Sequence, residues 1–433
     1  MNMPSTSRTP YANMPSYYAA SANPAPLRPK LVGEHTADVV IVGAGFTGLS
    51  AALELTAKGF SVIVIEAERC GWGASGRNGG QLINGYSRPL DVLEKRYGID
   101  QTRRLASVGL EGARIIRERV KRYNIDCTLV DGAAATALTA KQMNWFEDQA
   151  RIWERYGHPG MRLVDRNGLD EVVRTDRYVG AMIDPLGGHF HPLNYLLGEA
   201  AAIEAAGGLI FENSRVTRVD TGACPSVETE HGSVTATTLL LCGNAYLGDA
   251  LPALSNKIMP VSSQVIATEP LGKLVEELLP ENLCVEDANY ILDYFRRTAD
   301  GRLLYGGGVV YGGQDPKSVE DKIRPNLAKT FPMLRDVRID YAWSGNFALT
   351  LSRMPQMGRL SPSVWYSHGD SGHGVTTTQL LGRLLAEGVA GQMERFDIFD
   401  SLPHPPFPGG RTFRVPLTML GSMWYAMRDR LGL

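Results

Sequence analysis

Residues 38–66 read DVVIVGAGFTGLSAALELTAKGFSVIVIE, and they decide the fold. Asp38 to Val42 is a continuous β-branched run, as expected of a strand covered on both faces in a parallel sheet. Gly43-Ala-Gly-Phe-Thr-Gly48 follows, then a Leu/Ala run over 49–58 that reads as a helix and stops at Gly59. Ser61 to Glu66 reads as a second buried strand. In such a β-turn-α-β unit Gly43 permits the tight turn, Gly45 lets the backbone approach a pyrophosphate, and Gly48 lets helix pack on strand. The helix N-terminus offers unpaired N–H groups to the anion. Glu66, at the tip of the second strand, is placed to accept from a ribose diol, and an acid there disfavours a 2′-phosphate. The unit predicts an ADP-containing cofactor.

Composition narrows the class. The chain has 433 residues, 47 of them Gly, with 21% charged residues and a net charge of −2. That excludes a disordered, collagenous or coiled-coil chain and suits two or three domains. With 44 Lys+Arg against 46 Asp+Glu there is no basic stripe for a phosphate backbone, so no nucleic-acid partner is expected. Cys70, Cys127, Cys224, Cys242 and Cys284 form no C-x-x-C pair, no zinc signature and no disulfide framework, which fits a reduced cytoplasm. Residues 1–36 begin Pro/Ser/Ala-rich, lack the apolar core of a secretory signal and read as an N-terminal arm. The most apolar stretch, Val39 to Leu55, is interrupted by glycines and reads as strand and helix, so no stable membrane insertion is expected.

Further along, helical periodicity returns over 93–149 and short strands over 160–250. Residues 285–311 are aromatic and strand-like, and a Gly-rich turn at 369–375 opens a second Leu/Ala helix over 376–389. The expected organisation is mixed α/β: a Rossmann-like cofactor domain assembled from 37–92, 150–250 and 338–395, and a substrate domain from 93–149 and 251–337. A C-terminal tail covers 396–433. Its apolar residues Met419, Met423, Trp424, Tyr425 and Met427 could dock on a membrane, or pack on their own domain.

The choice between nicotinamide and flavin rests on the loop after the second strand. Arg69-Cys-Gly-Trp-Gly-Ala-Ser-Gly-Arg-Asn-Gly-Gly-Gln81 is a second glycine-dense platform against which a flat flavin ring could lie. Arg77, Asn78 and Gln81 add directional donors. Thr238-Leu-Leu-Leu-Cys-Gly243 is a buried strand returning to the same crevice. Ser371-Gly-His-Gly-Val375 can aim a positive helix end at the ring edge where negative charge builds. His373 either takes part in catalysis or only shapes this turn.

These pieces carry a family resemblance. GAGFTG (43–48), Glu66, GASGRNGG (73–80), GGHFHP (187–192), the strand ending at Gly243 and SGHGV (371–375) resemble the D-amino-acid-oxidase-like FAD-dependent oxidoreductases, which include sarcosine and glycine oxidases. YYAASAN (17–23), GRNGGQL (76–82), residues 284–312, 346–360 and 402–416 are similar, more narrowly, to the branch that oxidises gamma-glutamylputrescine in polyamine catabolism. The resemblance implies FAD, an antiparallel substrate sheet over the flavin, and hydride transfer from the carbon bearing a primary amine. It further implies O2 as the oxidant and release of aldehyde, ammonia and H2O2, with no nucleophilic side chain required. The candidate cofactor residues are Gly43, Gly45, Phe46, Thr47, Gly48, Glu66, Ala67, Arg69, Gly73, Ala74, Ser75, Arg77, Asn78, Gly79, Gly80, Gln81, Val216, Gly243, Gly372, His373, Gly374, Val375 and Thr376.

Departures from the family pattern bear on the substrate. Sarcosine oxidases carry a flavin-linking Cys within the stretch matching Trp343 to Thr350, and this chain has none there, which implies noncovalent FAD. Their carboxylate-binding Lys after the SGHG turn is replaced by Val375-Thr376-Thr377, which points to an aminoalkyl end rather than an amino acid. Their oxygen-activating Lys has no match in Leu303 to Gly308. A dehydrogenase that passes electrons from an amine or D-amino acid to a quinone is therefore the alternative. Alternation over 290–297 predicts Tyr290, Leu292, Tyr294 and Arg296 on one strand face. On that face Arg296 meets the distal glutamyl carboxylate, or is a solvated rim charge. Arg77 contacts the flavin, binds the substrate anion or activates oxygen, and its loop position favours the flavin contact. His189 and His191 lack a third ligand, so no metal is expected.

Overall fold

The strand after the arm explains why the first sheet is buried on both faces. In β1 (Gly33–Val42), Val39 and Ile41 enter one core and Val40 another, the period-two pattern of a covered strand. The structure, a computed structural model, describes residues 15–247 and 252–431. β1 pairs in parallel with β2 (Val62–Ile65) and β10 (Gly232–Leu241), while β7 (Leu209–Phe211) joins β2 and β17 (Val364–His368) joins β10. β16 (Gln356–Ser361) closes one edge antiparallel, and the hairpin of β8 (Arg218–Asp220) and β9 (Ser226–Glu228) hangs on β10. Helices α2 (Phe46–Ala57), α5 (Glu111–Tyr123), α8 (Pro192–Ala205) and α12 (Gly374–Val389) cover one face with Leu49, Ile116, Leu196 and Leu384. Val227 and Val234 help cover the other.

The second sheet runs β15 (Ile339–Thr350), β11 (Ile258–Thr268), β14 (Leu303–Tyr311), β13 (Asp293–Arg297), β12 (Cys284–Asp287), β4 (Val130–Ala137), β6 (Gly180–His189), β3 (Gln81–Leu82). β5 (Arg162–Val164) pairs with β6. Every pairing is antiparallel except β12 on β4. Phe295 and Tyr305 pack beneath Ile323 and Leu327 of α11 (Val319–Thr330), with α7 (Leu169–Val172) and α10 (Lys273–Leu278) in the same core. The remaining helices are α3 (Leu90–Tyr97), α4 (Ile99–Gly109), α6 (Ala140–Arg155), α9 (Pro252–Ser255), α13 (Met393–Asp400) and α14 (Gly410–Leu431).

Three expectations change: β15, expected in the cofactor domain with the rest of 338–395, is the edge strand of the second sheet because it pairs along its length with β11. Residues 150–250 serve both sheets, because β5 and β6 pair with β4 before the chain returns through α8. Likewise α3 to α5 bury Leu93, Leu105 and Ile115 in the first core rather than under the second sheet. The arm is packed from residue 15 onward, whereas residues 1–14 lie outside the described set. Ser16 caps α1 (Tyr17–Ala20), Tyr17 donates to Asp300 at 2.7 Å, and Tyr18 is fully buried. Two adjacent tyrosines bury too much apolar surface to leave that segment in water. On α14, Phe413, Leu420, Met423 and Trp424 are exposed, yet no helix of the described residues is long and apolar enough to cross a membrane.

Candidate active site

A groove between the two sheets receives the N-termini of both α2 and α12. Neither helix is capped by its own N-cap side chain, although the Phe46 N–H at the start of α2 donates to Ser75 Oγ at 3.0 Å, and a helix N-terminus of this kind offers its remaining first-turn N–H groups to an anion. Backbone crowding explains the three glycines of the first turn. Gly43 has φ +106°, and a Cβ there would stand 2.9 Å from the Cys242 carbonyl. A Cβ on Gly45 would reach Ser75 Oγ at 2.9 Å, and one on Gly48 would strike the Gly43 carbonyl at 1.9 Å. Gly48 therefore packs helix on strand, while Gly43 and Gly45 keep the groove floor open.

At one end of the groove stand Ala67, Gly73, Val216 and Gly243 with the Glu66 carboxylate. Glu66 accepts from the N–H groups of Ala44 at 2.8 Å and Glu68 at 3.0 Å. Burial raises its pKa, opposed by those two N–H groups. Each carboxylate oxygen retains a lone pair for a hydroxyl, as a ribose diol requires. The other end holds Phe46, Thr47, Ala74, Ser75, Arg77, Asn78, Gly79, Gln81, Gly372, His373, Gly374, Val375 and Thr376. Asn78 fixes the glycine-dense loop by donating to the carbonyls of Ala74 and Ser75 and accepting from Gly80 N–H. Arg77 stacks 4.3 Å over Trp72 and donates to its carbonyl at 2.6 Å. Two buried nitrogens here, Arg77 Nη2 and His373 Nδ1, have no partner among the described residues. Burial lowers the His373 pKa to about 4, so its ring is neutral at pH 7. An anion-accepting floor, a diol acceptor and two unsatisfied polar atoms at the far wall fit FAD.

Besides Gly48, two further residues expected at the cofactor lie off the groove. Arg69 pairs with Glu212 at 3.0 Å, and Gly80 abuts the Phe190 carbonyl, where a Cβ would come to 2.4 Å. His189 Nε2 donates to the Asn282 carbonyl, 2.8 Å away, and His191 Nδ1 accepts from Asn194 N–H at the start of α8. His191 Nε2 bonds to Ser21 Oγ at 3.1 Å, and His189 Nδ1 has no partner among the described residues.

The helices that aim at the groove are locked behind it. Arg119 of α5 donates to Glu199 at 2.8 Å, Ser50 Oγ at 2.9 Å, Glu54 at 2.7 Å, and also to Gln379. Tyr195 adds a bond to Glu199 at 3.0 Å, and Arg383 adds one to Glu54 at 2.9 Å. Burial raises the Glu199 pKa and Arg119 opposes it. One guanidinium thus ties α2, α5, α8 and α12 together.

The substrate side of the groove is walled by Val261, Ile291, Leu292, Tyr294, Tyr311 and Phe347. Tyr294 lies between two glycine backbones, since Cβ atoms on Gly79 and Gly306 would meet its ring at 2.6 Å and 2.2 Å. Tyr290 also lines the groove, although it precedes β13. Arg296 is not among the lining residues of this groove. It is buried and donates to the carbonyls of Gly79 at 2.7 Å and Phe190 at 3.0 Å, and to Tyr18 Oη at 2.9 Å. Its strand face is sealed by the 79–80 loop and by α1, which alternation alone does not reveal. The groove holds charged side chains that went unnominated: Glu286, Asp370 and Arg353. Burial raises the pKa of Glu286 to about 7 and of Asp370 to about 6. Arg353 falls inside the 346–360 stretch that carries the narrower resemblance, but no spacing rule assigned it a role.

Known proteins resemble the chain along most of its length. The model of the DAO family, described as FAD dependent oxidoreductase, matches residues 38–388. Gamma-glutamylputrescine oxidoreductase from Escherichia coli K12 is 55% identical over 96% of this chain and 98% of its own length. A probable oxidoreductase OrdL from Haemophilus influenzae is 41% identical over 96% and 97%. Glycine oxidase from Geobacillus kaustophilus superposes with a TM-score of 0.72 at 22% identity, covering 86% of this chain and 100% of that one. L-proline dehydrogenase from P. horikoshii gives 0.70 at 20%, covering 86% and 97%. These two structures share the fold.

Proposed function

Since the chain belongs to the FAD-dependent oxidoreductase family, we propose that it oxidises the primary amine of gamma-glutamylputrescine. With O2 and water the products are gamma-glutamyl-aminobutyraldehyde, ammonia and H2O2. The 55% identity to an oxidoreductase of that name over nearly the whole chain carries the reading. It is an enzyme whose cofactor is FAD, and bound FAD supplies the two-electron acceptor for the C–H bond beside the amine.

The chain's own residues bind and orient. The α2 N-terminus receives the pyrophosphate and Glu66 the ribose, while the 73–81 loop and the α12 N-terminus face the flavin. The wall of Val261, Leu292, Tyr294 and Phe347 sheathes an alkylamine and excludes water from its reacting end. Glu286 is the groove carboxylate suited to hold or remove an ammonium proton near neutral pH, because burial brings its pKa to about 7. Arg77 and His373 position rather than transfer protons, one a stacked cation and the other a neutral ring. FAD is held noncovalently: β15 contains no cysteine, and burial holds the groove thiol of Cys242 at about 12, protonated and unreactive.

Anaerobic mixing of the yellow protein with gamma-glutamylputrescine, putrescine and sarcosine, followed by air, tests this. Bleaching by the glutamylated amine with prompt recovery and H2O2 in air is the expected result. Bleaching that persists in air would instead select a dehydrogenase with a quinone acceptor, a reading favoured by the exposed apolar side chains of α14. No bleaching by the glutamylated amine would reject the substrate.

A further inference from the structure

The turn between β15 and β16 places a cation where the sequence pattern put none. Arg353 has φ +64°, a left-handed conformation that costs a non-glycine residue on the order of 1 kcal/mol and persists where surrounding structure demands it. Its side chain lines the groove beside Tyr290. The guanidinium lies 5.6 Å from the Tyr290 ring centroid and donates to its hydroxyl at 2.5 Å. No carboxylate pairs with it among the described residues, and the tyrosine hydroxyl is its one polar partner there. A guanidinium has five N–H donors in a fixed fork, so several remain for an anion.

The other arginine at this end of the groove, Arg77, is held on the platform side by the carbonyls of Trp72 and Ser344, with Nη2 left without a partner among the described residues. The groove that holds both the platform and Arg353 is also lined by Val261, Ile291, Leu292, Tyr294 and Phe347, apolar and aromatic side chains that suit a methylene chain. A half-buried cation stacked on an aromatic ring, strained at its backbone and with no carboxylate paired to it among the described residues, is an anion site rather than a structural clamp. Arg296, with its carbonyl acceptors, shows what a clamp looks like in the same protein.

Building on the substrate reading above, we propose that Arg353, oriented by Tyr290, binds the distal carboxylate of the glutamyl group and so makes the enzyme select glutamylated over free diamines. The carboxylate is taken in a fork-type pair, and Tyr290 holds the guanidinium plane toward it. Arg353 acts on binding and not on the bond broken.

The test uses FAD-loaded wild type, Arg353→Ala, Arg353→Lys and Tyr290→Phe. Rates are measured with gamma-glutamylputrescine, with its carboxamide-capped analogue and with putrescine. Loss of a charge-assisted pair predicts that Arg353→Ala raises KM for gamma-glutamylputrescine roughly 10- to 100-fold, with kcat changed less than about 3-fold. KM for the capped analogue and for putrescine should stay unchanged, Arg353→Lys should recover part of the loss, and Tyr290→Phe should show a smaller version of it. Equal effects on all three amines would overturn the assignment. A readout independent of turnover is perturbation of the flavin spectrum by glutarate. Glutarate binding to wild type and not to Arg353→Ala supports the subsite even if gamma-glutamylputrescine proves not to be oxidised. Equal binding to both, or to neither, refutes it.

Discussion

Replacing Arg119 by Met tests whether the buried network behind the groove sets the placement of both cofactor-facing helices. The change keeps most of the side-chain volume and leaves Glu199, fully buried, facing Tyr195 and Gln379 without a cation. Glu54 is less affected because its side chain is 23% exposed and Arg383 remains 2.9 Å away. Breaking a buried pair by removing one partner costs about 3–5 kcal/mol. At ~2.1 cal/mol/K of unfolding entropy per residue, a chain of this length loses roughly 1 °C in Tm per kcal/mol, so the expected fall is roughly 3–6 °C. The assay is thermal unfolding of the FAD-saturated protein at pH 8 and pH 5. Without Arg119 the folded-state pKa of Glu199 lies well above its unfolded value. The penalty is then full above that pKa and disappears as the carboxyl takes a proton, making the deficit smaller at pH 5. Arg119→Met/Glu199→Leu should recover most of the stability, because an apolar pair replaces the ionic one. A single variant within 1 °C of wild type, or a double variant that loses the sum of both, would refute the reasoning.

Other expectations are quickly checked. Glu286→Gln should stabilise the protein at pH 8 and not at pH 4, by an upper bound of about 3 kcal/mol, since burial lifts this carboxyl from 4.5 to about 7 and its ionisation opposes folding above that range. Urea unfolding of both proteins at the two pH values decides it, and an equal difference at both is the failing result. Arg296→Ala should lower Tm and change KM for gamma-glutamylputrescine and putrescine alike, because the residue holds carbonyls and Tyr18. Acid precipitation should leave the yellow colour in the supernatant, whereas a yellow pellet would mean a covalent link. Gly45→Ala should purify with less than about a tenth of wild-type FAD while staying folded by circular dichroism, as its Cβ intrudes on the groove floor beside Ser75.

What was legible in the sequence was local. The β1, glycine turn, α2 and β2 unit follows from periodicities of two and 3.6 within 38–66, and the structure shifts only the edges, starting α2 at Phe46. The glycine platform at 69–81 and the turn before α12 were also readable, since glycine and cap chemistry act over a few residues. Residues placed by long-range pairing were not. Tyr290 misses the strand because β13 starts at Asp293, so the alternation that grouped it with Arg296 ends before reaching it. The burial of Arg296 depends on Tyr18, far away in sequence, and on the sealing loop at 79–80. Arg353 enters the groove through a left-handed turn whose sequence, Ser-Arg-Met-Pro, contains no glycine to announce it.

The two helix N-termini that share the groove come from opposite ends of the chain, α2 opening at Phe46 and α12 at Gly374. Translation at ~5–20 residues per second separates their emergence by on the order of 15–65 s. Throughout that interval the nascent first strand and helix expose half of a nucleotide cradle with nothing opposite. Stable loading of the prosthetic group is thus an event near the end of synthesis. Riboflavin shortage should then leave a nearly full-length chain, rather than an early fragment, as the species that chaperones and proteases must handle.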